Sequence, residues 1–230
     1  MIIKQIVPNV YVIPLGFVNA FLIGGDDLTL IDTGIPGSGE KILQAVRELD
    51  KQPADIRHIL VTHCHGDHTG SLATLKEATG APAYMHPNDT ALVRVGESMR
   101  PWKPSPNILH KLMARLFMQS GPSGIEPATI EHEVEDGAEL DVAGGIKAIH
   151  VPGHCAGQLA FLWPQHGGVL FAADTASNML RLGWAIIYED LEEGKRSLAK
   201  LATLDFEVAC FGHGKAIVGG AAERFRQKWG

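Results

Sequence analysis

The chain has 230 residues, 45% of them hydrophobic and 20% charged, with a formal charge of −6. That length and apolar content suffice for a sizeable core in one large domain, and the acidic balance offers no basic surface to nucleic acid or anionic membrane. No run of about 18 apolar residues predicts a membrane span, no basic leader with an apolar centre opens the chain, and three cysteines without a CxxC pair (Cys64, Cys155, Cys210) fit a reducing, cytoplasmic setting.

In chain order, short β-type runs are expected at "IIKQIV", "VYVIP", "NAFLIGG" and "LTLID", divided by Pro, Asn, Gly and Asp. A helix follows from Ser38, the expected N-cap, through "EKILQAVRELD", where Ile42, Val46 and Leu49 share a face. "HILVT" reads as a buried strand, "SLATLKEATG" as a helix closed by Gly80, and "APAYMH" as a strand. Residues from about 86 to 127 read as a helical insertion or lid. In it "RPWKPSPN" is aperiodic, Ser105 and Pro106 suit N-cap and N1, and Ile108, Leu109, Leu112, Met113, Leu116 and Phe117 form one apolar stripe. Such a segment packs on the core or covers a pocket, and as a lid it would bring Trp102 toward substrate. Strands are expected at "IKAIHV", "QLAFLW", "GVLFAA" and "EVACFG", and helices from Asp190, with Glu193 completing an acidic capping box, and at "AAERFRQKW". Grouped strands with helices between and after them predict two sheets flanked by helices in a single domain over 1–230.

The densest chemistry lies in "ILVTHCHGDHTGS", where His63, His65, Asp67 and His68 crowd the turn between a strand and a helix. Side chains alternate along an extended chain, so His63 and His65 point one way and Cys64 the other. Imidazoles and a carboxylate on one loop suit Zn²⁺ or a similar cation, whereas a lone histidine there would more simply cap the helix. Three further groups of metal-binding type follow apolar strands: His154 in "VPGHCAG", Asp174 in "LFAADTAS" and His213 in "CFGHGK". Strand ends are where a rigid scaffold delivers side chains to exposed loops.

Taken in order, "LTLIDTG", "THCHGDHTG", "VPGHCAG", the Asp of "FAADT" and the final "GHG" resemble the metallo-β-lactamase-fold hydrolase superfamily over nearly the whole chain, in particular its glyoxalase II and lactonase-like branch. The resemblance implies an α+β fold (α/β by some schemes), a four-layer αββα sandwich of two mixed β-sheets flanked by helices. It implies two divalent ions, Zn first with Fe or Mn compatible. His63, His65 and His154 would hold one ion and Asp67, His68 and His213 the other, with Asp174 bridging both. Asp32, ending "LTLID", is similar to the family's aspartate that orients a ligand histidine, or else it is a turn residue before Thr33-Gly34. The other histidines (His58, His86, His110, His132, His150, His166) match no motif and read as structural or surface residues.

Two ions bridged by a carboxylate share a water whose pKa falls toward neutrality. The expected reaction is attack of that hydroxide on a carbonyl, with the ions stabilising the oxyanion and Asp67 and Asp174 acting in catalysis. The expected partner is a small-molecule ester, thioester or lactone, with no nucleic acid or membrane partner, and nothing in the sequence fixes an oligomeric state. Glyoxalase II enzymes share the HxHxDH loop but add a C-terminal helical domain, and this sequence ends soon after His213. Acyl-homoserine lactonases place a tyrosine where this chain has Ser177, though Tyr188 would serve if it approached the site. The alternatives are such a lactonase, a mononuclear iron persulfide dioxygenase-like enzyme, for which Cys64 and Cys155 would matter, or a metal-free binding module. Buried filler is the simpler role for both thiols.

Overall fold

The computed structural model describes residues 2–117 and 124–230, without the side chains of Leu116 and Phe117. The first half runs β1 (Lys4–Val7), β2 (Val10–Pro14), β3 (Asn19–Ile23), β4 (Leu28–Ile31), α1 (Gly39–Arg47), β5 (Ile56–Leu60), α2 (Gly66–Thr69), α3 (Leu72–Thr79), β6 (Ala83–Met85) and α4 (Pro87–Arg94). Then come β7 (Lys103–Pro104), α5 (Ile108–Phe117), β8 (His132–Glu133), β9 (Glu139–Leu140), β10 (Ile146–His150), β11 (Leu159–Trp163) and β12 (Val169–Phe171). The chain closes with β13 (Ile187–Tyr188), α6 (Leu191–Ala202), β14 (Val208–Cys210), β15 (Ile217–Val218) and α7 (Ala221–Trp229). No helix among the described residues is long and apolar enough to cross a membrane.

Two large mixed sheets result, ordered β1-β2-β3-β4-β5-β6-β8 and β15-β14-β12-β11-β10-β9. Each β4 residue, in "LTLI", is buried, as expected of a strand in a parallel pairing covered on both faces. Three apolar cores separate four layers. One lies between the first sheet and α1 and α3, with Ile42, Val46, Leu72 and Leu75. The second lies between the sheets, where Phe21 meets Phe171 edge-on at 5.4 Å. The third joins the second sheet to α6 and α7 through Leu198, Leu201 and Phe225. The architecture is the αββα sandwich.

Helix ends follow local chemistry. Gly80 closes α3 at φ +70°, a conformation that a Cβ would strain. Asp190 accepts the Glu192 and Glu193 N–H groups at 2.9 and 3.0 Å and so caps α6. Ser38 stands at the start of α1 but forms no side-chain cap; its own N–H donates to Ser71 Oγ at 2.9 Å.

The segment after His86 departs from expectation. Its first part is no appendage, because α4 buries Asp89, Thr90 and Val93 and adds Val93 to the first core. The helix expected from Ser105–Pro106 begins at Ile108, with Asn107 Oδ1 accepting the Leu109 N–H at 2.9 Å. Of the predicted stripe, Ile108, Leu109 and Leu112 are exposed, Met113 is half-buried, and Leu116 and Phe117 have side chains outside the described residues. The dipeptide strand β7 pairs with β13, a small third sheet that periodicity cannot reveal.

Strand direction gathers the site. β12 and β14 are parallel and β10 runs the same way, so Asp174, His213 and His154 all follow strand ends at one edge of the second sheet. β4 and β5 bring Asp32 and His63 to the facing edge of the first sheet. Hydrogen bonds lace the edges together, from Leu159 N to Thr62 O at 2.8 Å and from Asn19 N to Gly212 O at 2.9 Å.

Candidate metal centre

All of the candidate metal ligands picked out in the sequence meet at that edge. Ligand atoms of His63, His65, His154 and Cys155 lie within 4.8 Å of one another, as do those of His63, His68 and Asp174, and those of Asp67, His68 and His213. The sets amount to two groups, His63/His65/His154 and Asp67/His68/His213, linked by the set of His63, His68 and Asp174. His65 Nδ1 faces His154 Nε2 at 2.9 Å, and His213 Nε2 faces Asp174 Oδ2 at 3.0 Å and Asp67 Oδ2 at 3.3 Å. Asp174 spans both groups, with Oδ2 3.6 Å from His154 Nε2 and Oδ1 3.7 Å from His68 Nε2.

The donor chemistry fits divalent cations. His63 Nε2, His68 Nε2 and Asp174 Oδ1 are buried without a hydrogen-bond partner, a costly state that a cation would relieve. The opposite ring nitrogens are held. His68 Nδ1 meets Asp32 Oδ2 at 2.8 Å, His154 Nδ1 meets Ile187 O at 2.9 Å, and His213 Nδ1 meets Phe17 O at 2.9 Å. Thr62 Oγ1 donates to Asp32 Oδ2 at 2.9 Å, which leaves the hydroxyl oxygen to accept from His63 Nδ1 at 3.0 Å. Each such anchor fixes the tautomer that leaves the inward nitrogen a lone pair. Asp32 is thus no mere turn residue. It also accepts the Thr62 N–H at 2.8 Å and is buried.

Sulfur serves the remaining ring. Cys155 Sγ lies 3.2 Å from His65 Nε2 and 3.9 Å from Cys64 Sγ, with both thiols buried. Cys155 therefore contacts the imidazole of a candidate ligand in addition to being buried. Cys64 lies with Cys155 in the first apolar core.

The two groups are electrostatically unlike. Burial, then neighbouring imidazoles, drives His63 well below the ordinary histidine value; burial and His154 push His65 down to about 3; burial also lowers His154. These rings stay neutral and ready to ligate. Burial opposes charge on His68 and His213 too, but Asp32, Asp67 and Asp174 outweigh it at His68, raising it, and Asp174 and Asp67 lift His213 to about 10. Burial would raise Asp67 and Asp174, yet His68 and His213 outweigh it and hold both carboxyls down.

Protons therefore stand where a cation would sit in the second group, and this has a signed consequence. A histidine raised to about 10 on folding contributes stability that is fully present below its unfolded value of about 6.5 and is lost as pH rises through 10. The melting temperature of chelator-stripped protein should fall between pH 7 and 10. His213→Gln should flatten that fall, and metal-loaded protein should lack it. A stripped protein whose melting temperature rises over that range would contradict the assignment.

The residues expected to touch substrate are placed differently. Tyr188 is buried, and its hydroxyl accepts the Ala185 N–H at 3.1 Å. Its ring stands edge-on to His154 at 6.1 Å, so it forms a wall behind the site and presents no hydroxyl to a substrate. Ser177 is half-buried and pairs through its backbone with Gly183, closing a turn that carries Met179 and Leu180. Trp102 is half-buried and directly precedes β7. Sequence reasoning missed Phe17, whose ring stacks on His213 at 5.8 Å and 7° while remaining 53% exposed. It also missed Asp89, Arg100 and Glu189, which lie behind the first group; a buried carboxylate in an amphipathic helix gives no local signal.

Residues 13–213 match the pattern of the Metallo-beta-lactamase superfamily. YobT of Bacillus subtilis is 33% identical over 225 residues, covering 91% of this chain and 88% of its own. Thioesterase pkgB of Emericella nidulans is 27% identical over 202 residues, covering 87% of this chain and 46% of that protein. The lactamase-like protein aptB of the same organism is 26% identical, covering 86% and 52%, so the chain spans about half the length of these fungal relatives. Among solved structures, a metallo-beta-lactamase of Cronobacter sakazakii with a HARLDQ motif superposes at a TM-score of 0.76, with 20% identity over 99% of this chain and 91% of that one. BJP-1, a subclass B3 metallo-beta-lactamase of Bradyrhizobium japonicum, gives 0.71 with 22% identity over 93% and 78%. At such identities these two likenesses establish the fold alone.

Proposed function

The chain belongs to the metallo-beta-lactamase superfamily, and from that premise we propose that it is a dinuclear metal-dependent hydrolase of small esters, thioesters or lactones bearing an apolar acyl group. The observation that carries this reading is the pair of neighbouring His/Asp groups joined by Asp174, with three buried candidate ligand atoms left without hydrogen-bond partners among the described residues. His63, His65 and His154 would hold one divalent ion and Asp67, His68 and His213 the other. Bound there, such ions would supply Lewis acidity toward a carbonyl and acidify a water to near neutrality.

The protein's own groups do the rest. Asp32 and the backbone carbonyls of Phe17 and Ile187 keep the imidazoles in their ligating tautomers. Asp67, partly exposed and 3.3 Å from His213 Nε2 through Oδ2, is the carboxylate that would accept the nucleophile's proton and return it to the leaving group. Phe17, with Met179 and the 90% exposed Leu180 on the turn rooted beside His213, supplies an apolar rim for an acyl chain. We place Trp102, half-buried beside β7, on the same rim. The buried hydroxyl of Tyr188 counts against an acyl-homoserine lactonase, and the name of the thioesterase relative favours thioesters.

Elemental analysis and a hydrolysis screen test the reading together. Two ions per chain and faster cleavage of medium-chain than acetyl thioesters are expected. One iron per chain with persulfide oxidation, or no metal at all, would sink it.

A further inference from the structure

Asp89, on α4, is wholly buried, and each hydrogen bond of its side chain within the described residues leads to the loops of the candidate ligands or to one cation. Its Oδ2 accepts the N–H of Cys64, the residue between His63 and His65, at 3.0 Å. Its Oδ1 accepts the Gly157 N–H at 3.0 Å, in the turn after His154, and Arg100 Nη1 at 2.8 Å. Arg100 Nη1 also reaches Glu189 Oε1 at 3.3 Å, and Nη2 donates to Asn88 O. Glu189 Oε2 in turn accepts the Ala156 N–H at 2.9 Å, and the Glu189 N–H donates to His154 O at 3.2 Å. A Cβ on Gly157 would fall 2.6 Å from Asp89 Cγ, so this close approach requires glycine.

Resting on the two-ion reading, we propose that Asp89, Arg100 and Glu189 form a charged clamp that positions the His63/His65/His154 group and sets its metal affinity independently of the Asp67/His68/His213 group. The second group has other supports. Thr33 N–H and hydroxyl hold His68 O, Asp32 holds the His68 ring, and the Asn178 N–H holds His213 O. As a mere stabiliser of the fold, a buried ion pair gains little over apolar packing. What it supplies here is direction, because its carboxylates end on backbone N–H groups in the two loops that carry His63, His65 and His154. Arg100 makes this workable by neutralising two carboxylates that converge on one loop. Outer supports of this kind change metal affinity by roughly 10–100-fold.

The test is a Zn²⁺ titration of chelator-stripped full-length protein against a chromophoric chelator, which resolves two binding constants in the wild type. Arg100 is partly exposed, so Arg100→Gln should fold. One constant should weaken by roughly 10–100-fold and the other by less than about twofold, with Arg100→Lys restoring part of the loss. The defect should persist in a His213→Ala background and vanish in a His154→Ala background, where the supported group is already broken. If Arg100→Gln fails to fold, Asp89→Asn, which preserves shape and one acceptor, carries the same expectation. Two unchanged constants, or two equally weakened ones, overturn the clamp and leave the two-ion reading standing. A wild type that binds a single ion overturns the two-ion reading itself.

Discussion

Asp174→Ala should lower turnover by about a thousandfold, equivalent to about 4 kcal/mol of transition-state stabilisation, and should reduce bound metal from two ions to one or none. Asp174 is the carboxylate that reaches His154 in one group and both His68 and His213 in the other. Its removal strips the shared anion from the buried His/Asp cluster and leaves His68 to Asp32 and Asp67, and His213 to Asp67 alone. The loss cannot be repaired by solvent, because Asp174 is buried and its Oδ1 has no other hydrogen-bond partner. Metal analysis and steady-state kinetics on the same sample decide the matter, with circular dichroism confirming an intact fold. A variant that retains two ions and full turnover would refute the bridging role.

Much of this was legible in the sequence, for identifiable reasons. His63, His65, Asp67 and His68 sit in one turn, and Asp32, His154, Asp174 and His213 each follow an apolar strand, so local pattern and strand-end position coincide. The three cores follow from the same alternation of apolar runs. Illegible features act across the chain. Asp89 works through the N–H groups of Cys64 and Gly157, donors that every residue but proline possesses. β7 and β13 are two residues each and exist only by pairing with one another. Asn107 displaced Ser105 and Pro106 as the start of α5 because the Ser105 hydroxyl is taken by His110 Nδ1. Tyr188 was read by its chemistry, but its position in β13 turns the hydroxyl inward to Ala185.

Gly212→Ala, the addition of one methyl group, should come close to Asp174→Ala in its effect on activity while sparing the fold. A Cβ at this position would lie 2.2 Å from Asp174 Oδ1 and 2.7 Å from His68 Cε1. Conformation is not the obstacle, since Gly212 is absent from the positive-φ residues; space is. Nor can the backbone retreat, because Gly212 O accepts the Asn19 N–H at 2.9 Å and its own N–H donates to Ala173 O at 3.2 Å. The strain must therefore be relieved by moving Asp174 and His68, and a misplacement of about 1 Å at a reacting centre can cost about 100-fold in rate. Overpacking itself should cost about 1–3 kcal/mol of stability. Gly25→Ala is the matched control, with only an ordinary 3.5 Å contact awaiting its Cβ. The diagnostic result is a Gly212→Ala protein that melts a few degrees lower yet binds less metal and turns over about 100-fold more slowly. Lost stability with metal and turnover intact would mean that the strain is absorbed elsewhere, and that the carboxylate's position is not what the reaction depends on.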